Sequence, residues 1–259
     1  MIKNIIIFAI LFIGIISKPF AKDDVLYISV ASSLYNVSKS LTKEWSKESG
    51  VKVKIITGPT SLIARQINSG QMSDIVISAN QDWLAWMSER SLIDNESKTI
   101  IAMNSLVLIT GINNGFFIDI NSPTLDEDFK KHLSSSRFPI PHPSTIPLGI
   151  YTKQALKSMN LWSTLKEKLV FTSSSQANLK FISQEEAFVG IAYLSDVFTS
   201  SKVKIISYIE REKFYYEKPT YWAAKIKRNN GDNDFGFLEW LKSEEAQKII
   251  KNYGFESIK

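Results

Sequence analysis

Hydroxyl side chains cluster at three places where a predicted strand gives way to a predicted helix. These places are VASSLYN with Ser32 and Ser33, TGPTSLI with Thr60 and Ser61, and FTSSSQAN with Ser173, Ser174 and Ser175. Such hydroxyls ordinarily cap the helix, which stabilises it by about 1 kcal/mol. Alternatively, the helix start binds an anion, because its unpaired amides and positive dipole end attract negative charge. For each segment alone, both interpretations stay open.

A fourth segment, STIPLGIYTKQAL, enters its predicted helix through Pro147. In open α/β sheets, ligands bind beyond the carboxyl ends of the strands, where helix N-termini point. Two of the four segments belong to each predicted half of the chain, so all four could face one cleft. Their turns supply hydrogen-bond donors and no carboxylates. This donor set suits a fully ionised tetrahedral dianion better than hydrogen phosphate, whose proton needs an acceptor.

The elements that carry these segments follow from the spacing of apolar residues. VLYISV at 25–30 has the length and composition of a strand, and Leu34, Val37, Leu41 and Trp45 then share one face of a helix that ends at Gly50. Residues 51–55 alternate like a strand with one wet face, and DIVIS at 74–78 is typical of a buried strand. With a helix after each of the last two strands, this order predicts a parallel sheet with crossover helices.

The second half of the chain repeats the alternation less regularly. Strands are predicted at 104–110, 188–194, 203–209 and 221–226, and helices near 124–133, 151–160, 163–169 and 176–186. A terminal helical pair follows, with Ser243 as a cap. We therefore predict an α/β protein with two lobes, formed by residues 22–104 plus 205–259 and by residues 105–204. A lobe interrupted by another requires two chain crossings, which make a natural hinge.

The first 21 residues have the three regions of a secretory signal. Positive charge in MIKN precedes twelve consecutive apolar residues at 5–16, and SKPFA then predicts cleavage near Ala21. A spanning helix would need about 20 apolar residues. The chain contains no cysteine, which excludes a lipid-anchored cysteine and disulfide bonds. These features predict a free periplasmic or secreted protein.

Charge and composition exclude several other functions. The formal net charge is +5, falls to +3 without Lys3 and Lys18, and is too scattered to predict nucleic-acid binding. Only His132 and His142 are present, and there is no G-x-S-x-G elbow, H-E-x-x-H motif or P-loop. The sequence therefore predicts neither an enzyme nor a metal-cation site or cofactor. A periplasmic hydrolase that pairs a serine with one of the two histidines remains an alternative, as does an adhesion or structural module.

Several motifs in order resemble one known family. The motifs VASSLYNV, TGPTSLIARQINSGQMSDIVISANQDWL, NSLVLI, IPLGIYTKQAL, VGIAYLSD and KNYGF are similar to those of the periplasmic molybdate-binding proteins, the ModA family. The resemblance runs from about residue 25 to 255. It implies a type II periplasmic-binding-protein fold, whose two lobes close on one oxyanion without performing chemistry. It also implies a monomer that delivers molybdate or tungstate to the permease of an ABC importer.

The same resemblance implies a set of ligand contacts. Ser33 would donate its hydroxyl and backbone N–H, and Thr60 its hydroxyl, at a position where the family usually has serine. Leu148 and Ser175 would donate backbone N–H groups, and Tyr193 its phenol hydroxyl. Ser61 would then support the helix cap or lie in a second layer around the anion. Two alternatives stay open: Tyr193 as an ordinary core residue, and a different tetrahedral anion, such as sulfate or thiosulfate.

Overall fold

The computed structural model describes residues 25–134, 136–227 and 234–258, so the predicted signal segment lies outside the described residues. The strands are β1 Val25–Ala31, β2 Lys52–Gly58, β3 Ile75–Ser78, β4 Thr99–Met103, β5 Leu106–Gly111, β6 Phe138–Pro141, β7 Leu169–Thr172, β8 Gly190–Tyr193, β9 Val203–Tyr208 and β10 Thr220–Lys225. The helices are α1 Tyr35–Ser49, α2 Thr60–Asn68, α3 Gln81–Glu89, α4 Leu125–His132, α5 Pro147–Ser158, α6 Trp162–Leu165, α7 Ser175–Ser183, α8 Leu194–Phe198, α9 Phe237–Trp240 and α10 Glu244–Asn252. Within the described ranges, no helix has the length and apolarity needed to cross a bilayer.

The first lobe is built on a five-stranded sheet with the order β2-β1-β3-β10-β4. β1 pairs in parallel with β2 and β3, so the parallel sheet predicted from the β-α-β-α-β order is confirmed. α1 covers this sheet with the predicted apolar face, in which Val37, Leu41 and Trp45 are buried. Gly50 ends α1 with a φ of 75°, a left-handed conformation that suits glycine.

The second lobe contains two smaller sheets. β5 lies between β8 and β9 in an antiparallel three-stranded sheet, and β6 pairs in parallel with β7. The sequence did not predict β6, because its residues are FPIP and proline lacks the N–H that a central strand donates. In the structure, β6 has only β7 as a paired neighbour, an edge position that tolerates the two prolines.

The chain crosses between the lobes twice. It leaves the first sheet after β4 and enters β5 two residues later, through Asn104 and Ser105. It returns at 217–219, because Tyr216 still packs in the core of the second lobe and β10 belongs to the first sheet. The predicted boundary between residues 204 and 205 is therefore wrong, since it falls inside β9, whose residues pair with β5 from Val203 to Tyr208.

The C-terminal segment contacts both of the segments that cross between the lobes. Glu256 pairs through its backbone with Met103 at the end of β4. Its carboxylate accepts a hydrogen bond from the Ser105 hydroxyl at 2.9 Å and forms an ion pair with Lys218. One side chain thus contacts the outgoing and the returning strand of the hinge.

Substitution of Gly149 tests how closely α5 packs against β6. A Cβ atom at this position would overlap the Pro141 carbonyl and would lie 2.8 Å from the His142 carbonyl oxygen. Because these are backbone atoms, Gly149→Ala requires a backbone shift and should lower the free energy of unfolding by about 2–3 kcal/mol in urea titrations. The matched control is Gly115→Ala, where nothing lies within 4 Å of the added methyl. Equal stability of the two variants would contradict the close packing.

Candidate functional site

A small cavity lies where the two lobes meet, with a volume of about 20 Å³. Its lining residues come from five strand-to-helix connections and from the end of β8. They are Ala31, Ser32, Ser33, Pro59, Thr60, Ala79, Ile146, Pro147, Leu148, Ser174, Ser175 and Tyr193. The structure therefore brings together all five residues that the sequence resemblance nominated, although they are up to 160 positions apart in the chain.

The Thr60 side chain is oriented by the backbone of a neighbouring strand. Thr60 is 1 % exposed, and its Oγ1 accepts a hydrogen bond from the Ala79 N–H at 3.3 Å. Since the oxygen already accepts, the hydroxyl proton remains available to donate into the cavity. The sequence did not indicate this contact, because Ala79 is 19 residues away and follows a different strand.

Ser33 lies in the cavity lining next to Tyr221 of the first lobe. The Tyr221 oxygen accepts a hydrogen bond from Asn104 Nδ2 at 3.1 Å. The Ser33 hydroxyl carries one proton that it can donate to a ligand in the cavity. Burial raises the pKa of Tyr221 above its usual value, so its hydroxyl stays protonated. Sequence reasoning missed both Asn104 and Tyr221.

The two hydroxyls at the start of α2 do not cap this helix. The N-cap residue is Pro59, and no side-chain hydrogen bond closes the first turn. The expected support of the cap by Ser61 is therefore absent at this helix end. The serine run before α7 behaves differently, because Ser174 caps that helix by accepting from the Ala177 N–H at 3.1 Å. The next residue, Ser175, is left at the first helical position.

Two helix starts of the second lobe line the cavity. α5 begins with Pro147, which has no N–H, so Leu148 carries the first available amide of that helix. Ser175 is in the equivalent place on α7. First-turn amides have no partner within their own helix, and they lie at the positive end of its dipole. The leucine side chain is buried in the core of the second lobe and is 1 % exposed.

Tyr193 supplies the cavity with a phenol at the end of β8. Its side chain is 1 % exposed, and its hydroxyl has no hydrogen-bond partner among the described residues. Burial raises the pKa of Tyr193 well above its usual value, so the group is a neutral donor. A buried hydroxyl without a partner costs about 1–3 kcal/mol. Because Tyr193 also lines the cavity, its hydroxyl is free to donate to a molecule placed there.

The side chains that line the cavity are apolar or carry a hydroxyl, and none is charged. Both histidines are on the surface and outside the lining: His132 contacts Phe116, and His142 contacts Phe171. A serine nucleophile there would lack a histidine base within the lining. Among the described residues, no group of three or more histidine, cysteine or carboxylate side chains could hold a metal ion.

One buried carboxyl follows the cavity residue Tyr193 by three positions in the chain. Asp196, in the first turn of α8, is 2 % exposed and accepts one hydrogen bond from Gln176 Nε2 at 2.9 Å. Its other oxygen, Oδ2, has no partner among the described residues. Burial raises the pKa of Asp196 to about 7, from an ordinary value of 3.8. After burial, its charge is one of the smaller causes that raise the pKa of Tyr193.

Comparison with known proteins agrees with this architecture. A curated molybdate-binding protein ModA from Escherichia coli K12 is 29 % identical over 255 residues, which cover 97 % of this chain and 96 % of that protein. The structure of the Azotobacter vinelandii periplasmic molybdate-binding protein superposes with a TM-score of 0.76 at 20 % identity, covering 90 % of this chain and all of that one. The sulfate-binding protein SubI from Mycobacterium tuberculosis gives 0.75 at 13 % identity, covering 91 % and 87 %.

The two solved structures share the fold of the periplasmic binding proteins, so the fold class predicted from the sequence is confirmed. The chain belongs to the family of bacterial extracellular solute-binding proteins, whose sequence profile matches residues 26–256. The match with the Escherichia coli protein over nearly the whole chain confirms the resemblance to ModA proteins. These relatives are binding proteins rather than enzymes.

The Asp196 carboxyl predicts how stability depends on pH. Because its pKa is higher in the folded protein than in the unfolded chain, the folded state binds the proton more tightly, and stability falls as pH rises from about 4 to about 7. Asp196→Asn removes this ionisation. Between pH 5 and 8, the wild type should lose roughly 2–3 kcal/mol of unfolding free energy relative to the variant, measured in urea. A constant difference across that range would show that Asp196 does not titrate as described.

Proposed function

We propose that this protein captures molybdate or tungstate outside the cytoplasm and delivers it to the permease of an ABC importer. The observation that carries the proposal is a small cavity, enclosed by two lobes, in which every polar side chain is a hydroxyl. The named function of the Escherichia coli relative supports molybdate as the ligand. Export with cleavage near Ala21 and action as a monomer belong to the same proposal.

The donor set supports a fully ionised oxyanion. A dianion loses much hydration energy on burial, so the protein must replace water with several oriented donors. Thr60, Ser33 and Tyr193 each have a proton left to donate, and the amides of Leu148 and Ser175 add two more donors. A lining without a carboxylate offers no strong acceptor to an anion that carries a proton, which disfavours hydrogen phosphate.

The cavity volume supports an ion of a few atoms. A space of about 20 Å³ is little more than the 10–15 Å³ that one water molecule requires. Sulfate has the same shape and charge as molybdate but shorter bonds, so selection between them depends on how far apart the two lobes hold their donors.

The binding mechanism follows from the placement of the donors on both lobes. Ser33 and Thr60 belong to the first lobe, and Leu148, Ser175 and Tyr193 to the second. With the lobes apart, an anion meets half of the donors and keeps part of its water shell. Closure adds the other half and removes the remaining water, which strengthens each hydrogen bond because the local dielectric constant falls. The closed form is then the species that the permease recognises.

Titration calorimetry on the chain from residue 22 tests the ligand directly. After removal of bound anions, molybdate or tungstate should bind one to one, and sulfate at least about a thousandfold more weakly, a gap of roughly 4 kcal/mol. Phosphate should bind more weakly than molybdate because of its proton. If sulfate bound as tightly as molybdate, the assignment of molybdate or tungstate as the ligand would be wrong. If none of the four anions gave a heat of binding, the receptor function would be overturned.

Removal of the unpartnered phenol hydroxyl tests the site. Tyr193→Phe should weaken molybdate binding by roughly 1–2 kcal/mol, the value of one hydrogen bond to a charged group, and should not lower stability, since the hydroxyl has no protein partner. The matched control is Tyr253→Phe, whose hydroxyl bonds Ser40 Oγ at 2.6 Å within the first lobe. If Tyr193→Phe bound the anion as tightly as the control, Tyr193 would not belong to the site.

A further inference from the structure

A tyrosine outside the cavity lining connects the second lobe to the back of the anion site. Tyr151 follows Leu148 by three residues on α5, so both lie on the same face of the helix. Its side chain is 3 % exposed. Its hydroxyl donates to the carbonyl oxygen of Ala79, in the first lobe, at 3.3 Å.

The Ala79 peptide that receives this hydrogen bond is part of a fixed turn. Ser78 Oγ donates to the Asn80 carbonyl at 2.6 Å and accepts from the Asn80 N–H at 3.2 Å. Asn80 Oδ1 in turn caps α3 by accepting from the Trp83 N–H. These bonds hold Ala79 with its carbonyl toward Tyr151 and its N–H toward Thr60. Because the turn is fixed, the contact of Tyr151 with the Ala79 carbonyl can influence the Ala79 N–H that bonds Thr60.

The contacts form one continuous chain of hydrogen bonds across the cleft. Tyr151 donates to the Ala79 carbonyl, and the Ala79 N–H donates to Thr60 Oγ1 at 3.3 Å. The Thr60 proton is then left for the anion. Hydrogen bonds in a chain polarise one another, so a donor to the Ala79 carbonyl makes its N–H a better donor. Since Tyr151 and Ala79 are on different lobes, the first link exists only when the lobes are closed.

We propose that Tyr151 is a positioning residue that couples closure of the lobes to the orientation of the Thr60 hydroxyl as a donor. The proposal rests on the oxyanion-binding function proposed above. Tyr151 does not touch the anion, and it acts in two ways: it stabilises the closed arrangement, and it fixes the Ala79 peptide that holds Thr60. Burial raises the pKa of Tyr151 to about 12, so the phenol remains a donor throughout the neutral range.

The test removes only the hydroxyl. Tyr151→Phe should weaken molybdate or tungstate binding roughly five- to tenfold, the range expected for one lost hydrogen bond. In stopped-flow measurements, the loss should appear as faster dissociation at an unchanged association rate, because the anion first meets the open form. Tyr253→Phe is the matched control and should leave both rates unchanged. Unchanged affinity in Tyr151→Phe would overturn the proposal.

A double-mutant cycle tests whether Tyr151 acts through the Thr60 hydroxyl or only stabilises the closed arrangement of the lobes. In a Thr60→Val background, Tyr151→Phe should cost less than about twofold further, since its effect passes through the missing hydroxyl. In a Thr60→Ser background, which keeps the hydroxyl, the full loss should return. If the loss caused by Tyr151→Phe were the same in the valine background, Tyr151 would act independently of Thr60 and the coupling would be wrong.

A measurement without ligand distinguishes failure of this proposal from failure of the proposed function. Small-angle scattering of the anion-free protein should give a larger radius of gyration for Tyr151→Phe than for the wild type, because the open form gains population. If the wild type bound none of the anions but the variant still opened, the ligand assignment would fail and the closure role would stand. Equal radii together with equal affinities would overturn the closure role.

Discussion

Burial of the proposed ligand, a dianion without a counter-charge, is the constraint on which this structure depends. The cavity has no charged lining residue, so hydroxyls and helix-start amides must replace the whole hydration shell. One helix N-terminus offers two or three such donors, all from one side. Surrounding the ion requires several helix starts from opposite directions. Two α/β lobes, each with helices that begin at the carboxyl ends of strands, meet this requirement.

The donors are useful only if their protons point inward, and the surrounding structure arranges this. Thr60 accepts a hydrogen bond from the Ala79 N–H, which occupies its oxygen and leaves its proton for the cavity. Ser33 lies in the lining beside Tyr221, which accepts a hydrogen bond from Asn104. Tyr193 has no such partner, and its free hydroxyl contributes a cost in the ligand-free protein. The site is therefore partly organised in advance and partly completed by its ligand.

In the proposed mechanism, the hinge allows the donors of the two lobes to separate. Both crossings lie beside the C-terminal segment, where Glu256 contacts Ser105 on one and Lys218 on the other. Most of the buried apolar side chains belong to cores within single lobes, so closure rearranges few of them. Hydrogen bonds made across the cleft include Trp83 Nε1 to the Thr145 carbonyl at 3.2 Å and the Tyr151 hydroxyl to the Ala79 carbonyl at 3.3 Å. An equilibrium balanced by such contacts can be shifted by one small ion.

The sequence by itself determined most of the elements and the candidate site residues, because apolar periodicity and helix-start chemistry are local properties. The motifs nominated Ser33, Thr60, Leu148, Ser175 and Tyr193, and the structure places all five on one cavity. Only the tertiary structure decided that β9 pairs with β5, that the proline-rich β6 is a strand, and that Thr60 receives a hydrogen bond instead of capping α2. The contact of Tyr151 with Ala79 joins residues 72 positions apart on different lobes. Such contacts depend on how the lobes are oriented, and no local pattern in the chain encodes that orientation.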